Sequence, residues 1–138
     1  MSENQTNVVS SVVPDELRIN FLPRYLGVHF LRGESMVYDW ASRLSHDYQG
    51  GSWDFFELSN GGFYMAPRHA GPRLRVQWHG NGYDGTVGAD AFGVVVTLFA
   101  LCYLAEKTGN DKIIDHYHSL REYAMTHAEA AEILQAID

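Results

Sequence analysis

A single cysteine, Cys102, stands among the 138 residues of this chain. It can form no internal disulfide and no cysteine-rich metal site, which fits a reducing compartment. A surplus of positive charge is missing as well. Ten Lys and Arg against seventeen Asp and Glu leave a net charge of −7, which argues against nonspecific attraction to a phosphate backbone or an anionic lipid surface. The acidity leans toward one end, where residues 110–138 hold two basic and six acidic side chains. The opening stretch, MSENQTNVVSS, lacks both the basic start and the apolar centre of a signal peptide, so a cytoplasmic protein is expected. The longest apolar run, Ala91 to Ala105, falls short of the roughly 20 residues that span a bilayer and reads as a buried core helix, with no membrane partner. No repeat, linker or zipper pattern appears, so one domain and a monomer are expected.

What the chain does have is an ordinary globular composition, 46% hydrophobic and 20% charged. Residues 1–12 are polar and read as a flexible tail, leaving 13–138 as a single domain. PDELRINFL has the acids and proline of a helix start, with Pro23 expected to end that helix. Apolar residues from Tyr25 to Leu44 recur three or four apart and predict a longer helix, with Gly27 and Gly33 as candidate breaks. SWDFFEL, GFYMAP and RLRVQWH are rich in aromatic and β-branched residues and are separated by turn signals, which predicts a three-stranded antiparallel meander. A two-residue turn at Asn60-Gly61 would pair Leu58 with Phe63, Glu57 with Tyr64, Phe56 with Met65 and Phe55 with Ala66. Phe56, Leu58, Phe63 and Met65 would then form the core face, joined by Leu74, Val76 and Trp78. Trp53, Phe55, Glu57 and Tyr64 would form the other face. GADAFGVVVTLFALCYLAEKTGN is apolar almost all round, predicting a central helix stopped by Gly109. DKIIDHYHSLREYAM predicts an amphipathic helix, and Thr126 with Glu129 matches a capping box opening a last helix to Ile137. The fold class expected is α+β: N-terminal helices, a three-stranded antiparallel meander sheet and a helical C-terminal half.

Candidate chemistry is thin. GNGYDG, residues 80–85, matches GxGxxG, but its preceding strand alternates with arginines, no second strand follows the helix, and Asp84 and Asp90 would repel a pyrophosphate. A structural turn is the reading preferred. Asp115, His116 and His118, with His79, are a possible metal set, although i and i+2 on a helix do not share a face. Cys102 lies in the most apolar helix, where a thiol packs, and no GxSxG elbow is present. Asp54 and Glu57 point to opposite faces of a strand and make no acid–base pair. Arg68, His69, Arg73 and Arg75 form the one basic cluster, most simply a solvated strand edge. No catalytic, cofactor or metal residue is assigned, and no enzyme is expected.

Three blocks carry a wider resemblance: FLPRYLGVHFLRGESMVYDWASRLSHDYQGGSWDFFELSNGGFYMAP, GNGYDGTVGADAFGVVVTLFAL and the C-terminal DKIIDHYHSLREYAMTHAEAAEIL with the final AID. Together they resemble the ArdB/KlcA antirestriction family of plasmids and other mobile genetic elements, from about residue 12 onward. The resemblance implies a non-enzymatic cytoplasmic protein that protects incoming DNA from host type I restriction enzymes, leaves methylation largely intact, and does not mimic DNA. A net −7 over 138 residues agrees, being far from a dense carboxylate array. The implied partner is the host type I restriction-modification complex, reached directly or indirectly, with no strong nucleic-acid binding. Aromatic and Arg side chains are enriched at interface centres, so Trp53, Glu57, Tyr64 and Arg75 are candidate partner-binding residues if their face is not covered by a helix. If it is covered, Glu129, Glu132 and Asp138 on the acidic C-terminal helix come next. The rival readings are a small metal-dependent hydrolase using the histidine set, and a direct DNA binder using Arg68, Arg73 and Arg75.

Overall fold

The structure, a computed structural model, describes residues 7–69 and 71–138. Strand β1 (Ser10–Val12) leads through a helical turn at Asp15–Leu17 to helix α1 (Phe21–Leu26), a second turn at Gly27–His29, and α2 (Phe30–Leu44). Strands β2 (Trp53–Leu58), β3 (Phe63–Pro67), β4 (Leu74–Trp78) and β5 (Tyr83–Val87) follow, then α3 (Ala89–Thr108), α4 (Asp111–Thr126) and α5 (Ala130–Ile137). The class is α+β with a helical C-terminal half, as expected.

The N-terminal elements differ from the sequence reading in their joints. Pro23 lies inside the first turn of α1, where its missing N–H leaves no bond unmade, and does not end the helix. The break comes at Gly27, whose φ of 57° suits glycine. Gly33 does not interrupt α2. It is buried, and a Cβ there would press into Leu26, so its bareness lets α1 and α2 close on each other. Ser10–Val12, expected within the tail, forms a strand on the edge of β2, while residues 1–6 lie outside the described residues.

A three-stranded antiparallel sheet is present, in the order β1-β2-β3. Its third member is β1, not the 74–78 strand, which instead pairs with β5 in a separate two-stranded ribbon. The β2–β3 register is one residue from the expected one: Glu57 faces Phe63, Phe56 faces Tyr64 and Phe55 faces Met65. The turn explains the slip. A two-residue turn of the favoured type needs positive φ at both central positions, and no non-glycine among the described residues has one. The loop instead spans Ser59 to Gly61, with Gly61 at φ 91°, the Gly61 N–H bonding the Leu58 carbonyl at 3.0 Å and the Leu58 N–H bonding the Gly62 carbonyl at 2.9 Å. One extra residue turns every β3 side chain over.

Trp53, Phe55, Phe63 and Met65 therefore share a face, and α1 and α2 cover it. Phe21 stacks on Phe55 at 5.2 Å between centroids, and Tyr38 meets the Trp53 indole edge-on at 5.5 Å. Phe56, assigned to the core from sequence, is only partly buried on the opposite face, whereas Leu58, Phe63 and Met65 are buried.

Helix α3 runs through the centre and is 20 residues long, apolar enough by length and composition to cross a bilayer; 61% of that stretch is buried inside the fold. Gly109, at φ 62°, ends it. It packs against the free edge of β3. The Thr97 Oγ1 accepts the Met65 N–H at 3.2 Å and donates back to the Met65 carbonyl at 3.3 Å, closing the edge that a further strand would need. One turn earlier, Gly93 lies so close to the Met65 carbonyl and to Ala66 that any Cβ would overlap them. Both positions should be intolerant. Overpacking at Gly93→Ala should cost about 1–3 kcal/mol or more. Thr97→Val, which strands a buried N–H, should cost about 1–3 kcal/mol in urea unfolding.

Candidate functional site

The structure divides the residues singled out from sequence. Trp53 is 3% exposed, its indole N–H donating to the Tyr48 hydroxyl at 2.9 Å. Tyr64 is 1% exposed, stacked between Phe56 at 4.7 Å and Tyr123 at 5.6 Å. The turned-over register places these two on opposite sides of the sheet, and both are covered. The expected shared face of Trp53, Glu57, Tyr64 and Arg75 is therefore not formed. Of the three candidates on β2 and β3, Glu57 alone stays partly open, where Arg24 pairs with its carboxylate and the Tyr25 hydroxyl donates to it at 3.2 Å.

The remaining four, Arg75, Glu129, Glu132 and Asp138, are divided by the place where the β4–β5 ribbon meets α5. An open groove of about 660 Å³ runs there, lined by Arg73, Asn81, Gly82, Glu132, Gln135, Asp138 and the first four residues of β5. Glu132 and Asp138 line it, whereas Arg75 and Glu129 stand outside the lining and hold two of its residues, Asp84 and Arg73. Each end of the ribbon is fixed to the helical half. At the turn, the Asn81 amide donates to the Ala136 carbonyl at 2.8 Å, capping α5, while its oxygen accepts the Tyr83 N–H at 3.0 Å. The GNGYDG block is thus a hairpin turn and the start of β5, not a phosphate loop. Midway, the Tyr83 hydroxyl donates to Glu132, and burial together with that carboxylate raises the phenol well above its ordinary range. A side chain at Gly85 would collide with this pair. At the open end, Glu129 accepts from Arg73 at 2.7 Å and from the Gly88 N–H at 3.1 Å, where its charge faces the α3 N-terminus. The capping box with Thr126 does not form, because Glu129 is engaged there and α4 continues through Thr126. Arg75 forms a two-pronged pair with Asp84 at 2.9 and 2.7 Å, and its backbone N–H is held by Asp47 at 2.9 Å.

Behind this ribbon lies a polar chain that sequence reasoning missed. The buried Tyr64 hydroxyl sits 3.1 Å from Ser10 Oγ and donates to Asp90 at 2.7 Å. His127 meets the other Asp90 oxygen at 2.8 Å. Its Nδ1 accepts the Glu129 N–H at 2.9 Å, so the ring proton of the neutral form lies on Nε2, directed at Asp90. Burial, with Asp90 accepting the proton, holds the Tyr64 phenol far above its ordinary range. The chain fastens the α4–α5 corner to the start of α3 and to β1. Its members are distant in sequence, and no local spacing announces them.

The other candidates are dispersed. His116 is buried between Tyr25 and Phe63 and bonds the Tyr25 carbonyl at 3.0 Å, while His118 and His79 are exposed. Among the described residues no three His, Cys, Asp or Glu side chains converge on a metal position. Cys102 is exposed, contrary to its expected packing role, with its thiol raised by local desolvation and then by Glu106. Arg68 holds Asp54 at 2.7 Å, Arg73 holds Glu129 and Arg75 holds Asp84, so the basic cluster is neutralised.

The family model described as "Antirestriction protein" matches residues 46–138. Two Escherichia coli proteins described as antirestriction protein KlcA are similar: one is 51% identical over 95% of this chain and 94% of its own, the other 45% identical over 100% of both. The putative antirestriction protein YubI of Escherichia coli K12 is 34% identical over 88% of this chain and 89% of its own. A solved structure with 47% identity superposes with a TM-score of 0.89 over 96% of both chains. It is described as one of the KlcA and ArdB proteins, with a novel fold and antirestriction activity against type I DNA restriction systems in vivo but not in vitro.

Burial gives His116 a testable signature. Desolvation, the larger effect, lowers its pKa despite the opposing Tyr25 carbonyl bond. The unfolded chain then takes up the proton first as pH falls below about 6.5, and stability declines from there down to the folded-state pKa. Melting temperature should drop on acidification through this window. The His116→Gln variant, which can still donate to the Tyr25 carbonyl, should lose that part of the slope.

Proposed function

Because the chain belongs to the antirestriction protein family, we propose that it protects incoming DNA from host type I restriction by binding or interference, without catalysis and without imitating DNA. The observation that carries this reading is the near-complete superposition on a relative described as active in vivo but not in vitro. Such a relative points to action that needs the cellular setting of the restriction system, and we assign this chain to the cytoplasm, as a monomer engaging the type I system directly or through another host component.

Charge supports the exclusion of mimicry. A DNA mimic must offer an array of free carboxylates, whereas here Asp54, Glu57, Asp84, Glu129 and Asp138 each hold an arginine. The rival readings gain nothing: the buried His116 is turned to a backbone carbonyl, and Arg68, Arg73 and Arg75 are paired with carboxylates. With Trp53 and Tyr64 covered, the contact surface proposed is the ribbon–α5 groove, lined by Glu132 and the exposed Asp138, together with the exposed Arg75 that pairs with the groove residue Asp84 at its rim.

Cells with a type I system and expressing this protein should be plated by unmodified phage more efficiently than cells without it, while purified enzyme should cut DNA unimpeded in its presence. Arg75→Glu and Asp138→Lys should melt as the parent does and lose protection. Protection retained in both variants would remove the groove from the account, and equal plating with and without the parent protein would remove the function.

A further inference from the structure

We propose that the outer face of α2 and α3 is a second protein-binding surface, one that takes a partner carrying carboxylates around an apolar centre. It goes beyond the groove reading and uses different residues.

Of the ten Lys and Arg in the chain, Arg18, Arg24, Arg68, Arg73, Arg75 and Arg121 each hold a carboxylate. Among the described residues no carboxylate pairs with the other four, Arg32, Arg43, Lys107 and Lys112. Three of these four fall on one face. Gly33 lies against Leu104 and Trp40 against Phe99, so α2 and α3 run antiparallel in contact. On α2, Arg32, Met36 and Arg43 recur at helical spacing beside Trp40; on α3, Phe99, Tyr103 and Lys107 recur every four residues. Trp40 stacks on Phe99 at 4.6 Å and joins the two stripes. Arg43 lies 5.2 Å over the Trp40 ring and Lys107 5.2 Å over the Tyr103 ring. Tyr103 is 37% exposed and the three cations are exposed.

Three of the four cations that hold no carboxylate among the described residues thus surround a partly exposed aromatic strip. Trp, Tyr and Arg are the residue types that dominate interface energetics, and an unpaired cation at such a rim favours a negative partner. The partner is a protein and not a nucleic acid for two reasons. Asp39 and Glu106 interrupt the positive charge that a phosphate track would need. The Trp40 and Tyr103 rings, which single-strand binders would use to stack bases, already carry Arg43 and Lys107. A second copy is a poor occupant, because Glu129, Glu132 and Asp138 of its acidic C-terminal helix are held by Arg73, Tyr83 and Arg121.

The test places a photoreactive benzoylphenylalanine at Tyr103 in the full chain, expressed in cells carrying a type I system, and identifies the crosslinked segment by mass spectrometry. The expected product is a protein segment with Asp or Glu beside the crosslink. Its yield should fall about tenfold, equivalent to about 1.4 kcal/mol, in an Arg43→Glu, Lys107→Glu background that melts as the parent does. Crosslinks to DNA, to a second copy or to a segment without acidic residues would overturn the proposal, as would a yield unchanged by charge reversal or no crosslink at all. Phage plating with the same variant separates the two surfaces: protection retained while the crosslink is lost leaves this face a binding site and keeps the antirestriction contact at the ribbon.

Discussion

The contact between Met65 in β3 and the Gly93–Thr97 turn of α3 organises the rest of the molecule. A β-strand at the edge of a sheet presents unpaired N–H and C=O groups, which must be covered, charged or paired. Here a helix does the covering, and it does so chemically: the Thr97 hydroxyl is both acceptor and donor to the same residue of the strand. A helix can approach a strand that closely only where it has no side chain, and Gly93 supplies that bare position. The most apolar helix of the chain is thereby docked edge-on, with α2, α4 and α5 packed around it.

Closing that edge decides where the next strands go. With no place beside β3, the 74–78 strand pairs with 83–87 and forms an outlying ribbon. Leu74, Val76 and Val87 anchor the ribbon in the apolar core, and polar groups fix its ends and outer side: Asn81 on the end of α5, Tyr83 on Glu132, Arg73 on Glu129, and Asp47 on the Arg75 N–H. Exposed ion pairs of this kind stabilise little individually. Their use here is positional, since they hold a groove between a strand edge and an acidic helix on the outside of an otherwise apolar body. Asp90 and His127 do the corresponding work on the inside of the corner.

Much of this was legible in the sequence. The all-round apolar run of α3 and its Gly109 stop, the aromatic and β-branched runs of β2, β3 and β4, and the amphipathic pattern of α4 are local signals, and local signals can be read from neighbours alone. The blocks around WDFFEL and GNGYDG carried the family. What failed was non-local or turned on one torsion angle. Gly61 taking the left-handed position in a three-residue loop, and not sharing a two-residue one with Asn60, moved the register by one and put Trp53 and Tyr64 under cover. The Asn60 side chain holds that loop, donating to the Ser119 carbonyl and to Glu122, both at 2.8 Å and both on a helix the turn signal could not foresee. Glu129 fitted a capping box by spacing, but its carboxylate is engaged by a strand residue and a helix start far back in the chain. The candidate site was half legible for the same reason: Glu132 and Asp138 were found by their acidity, whereas the groove exists only because β5 lies beside them.

Amide hydrogen exchange at Met65 tests the organising contact most directly. This N–H points away from β2 and has only the Thr97 hydroxyl to hold it, so in a loosely docked molecule it would exchange like any edge amide. The account predicts that it is among the slowest amides of the protein and exchanges only through global unfolding. Exchange of Met65 at the rate of the exposed β1 or ribbon amides would mean that α3 does not seal the strand, and that the placement of everything outside it has another cause.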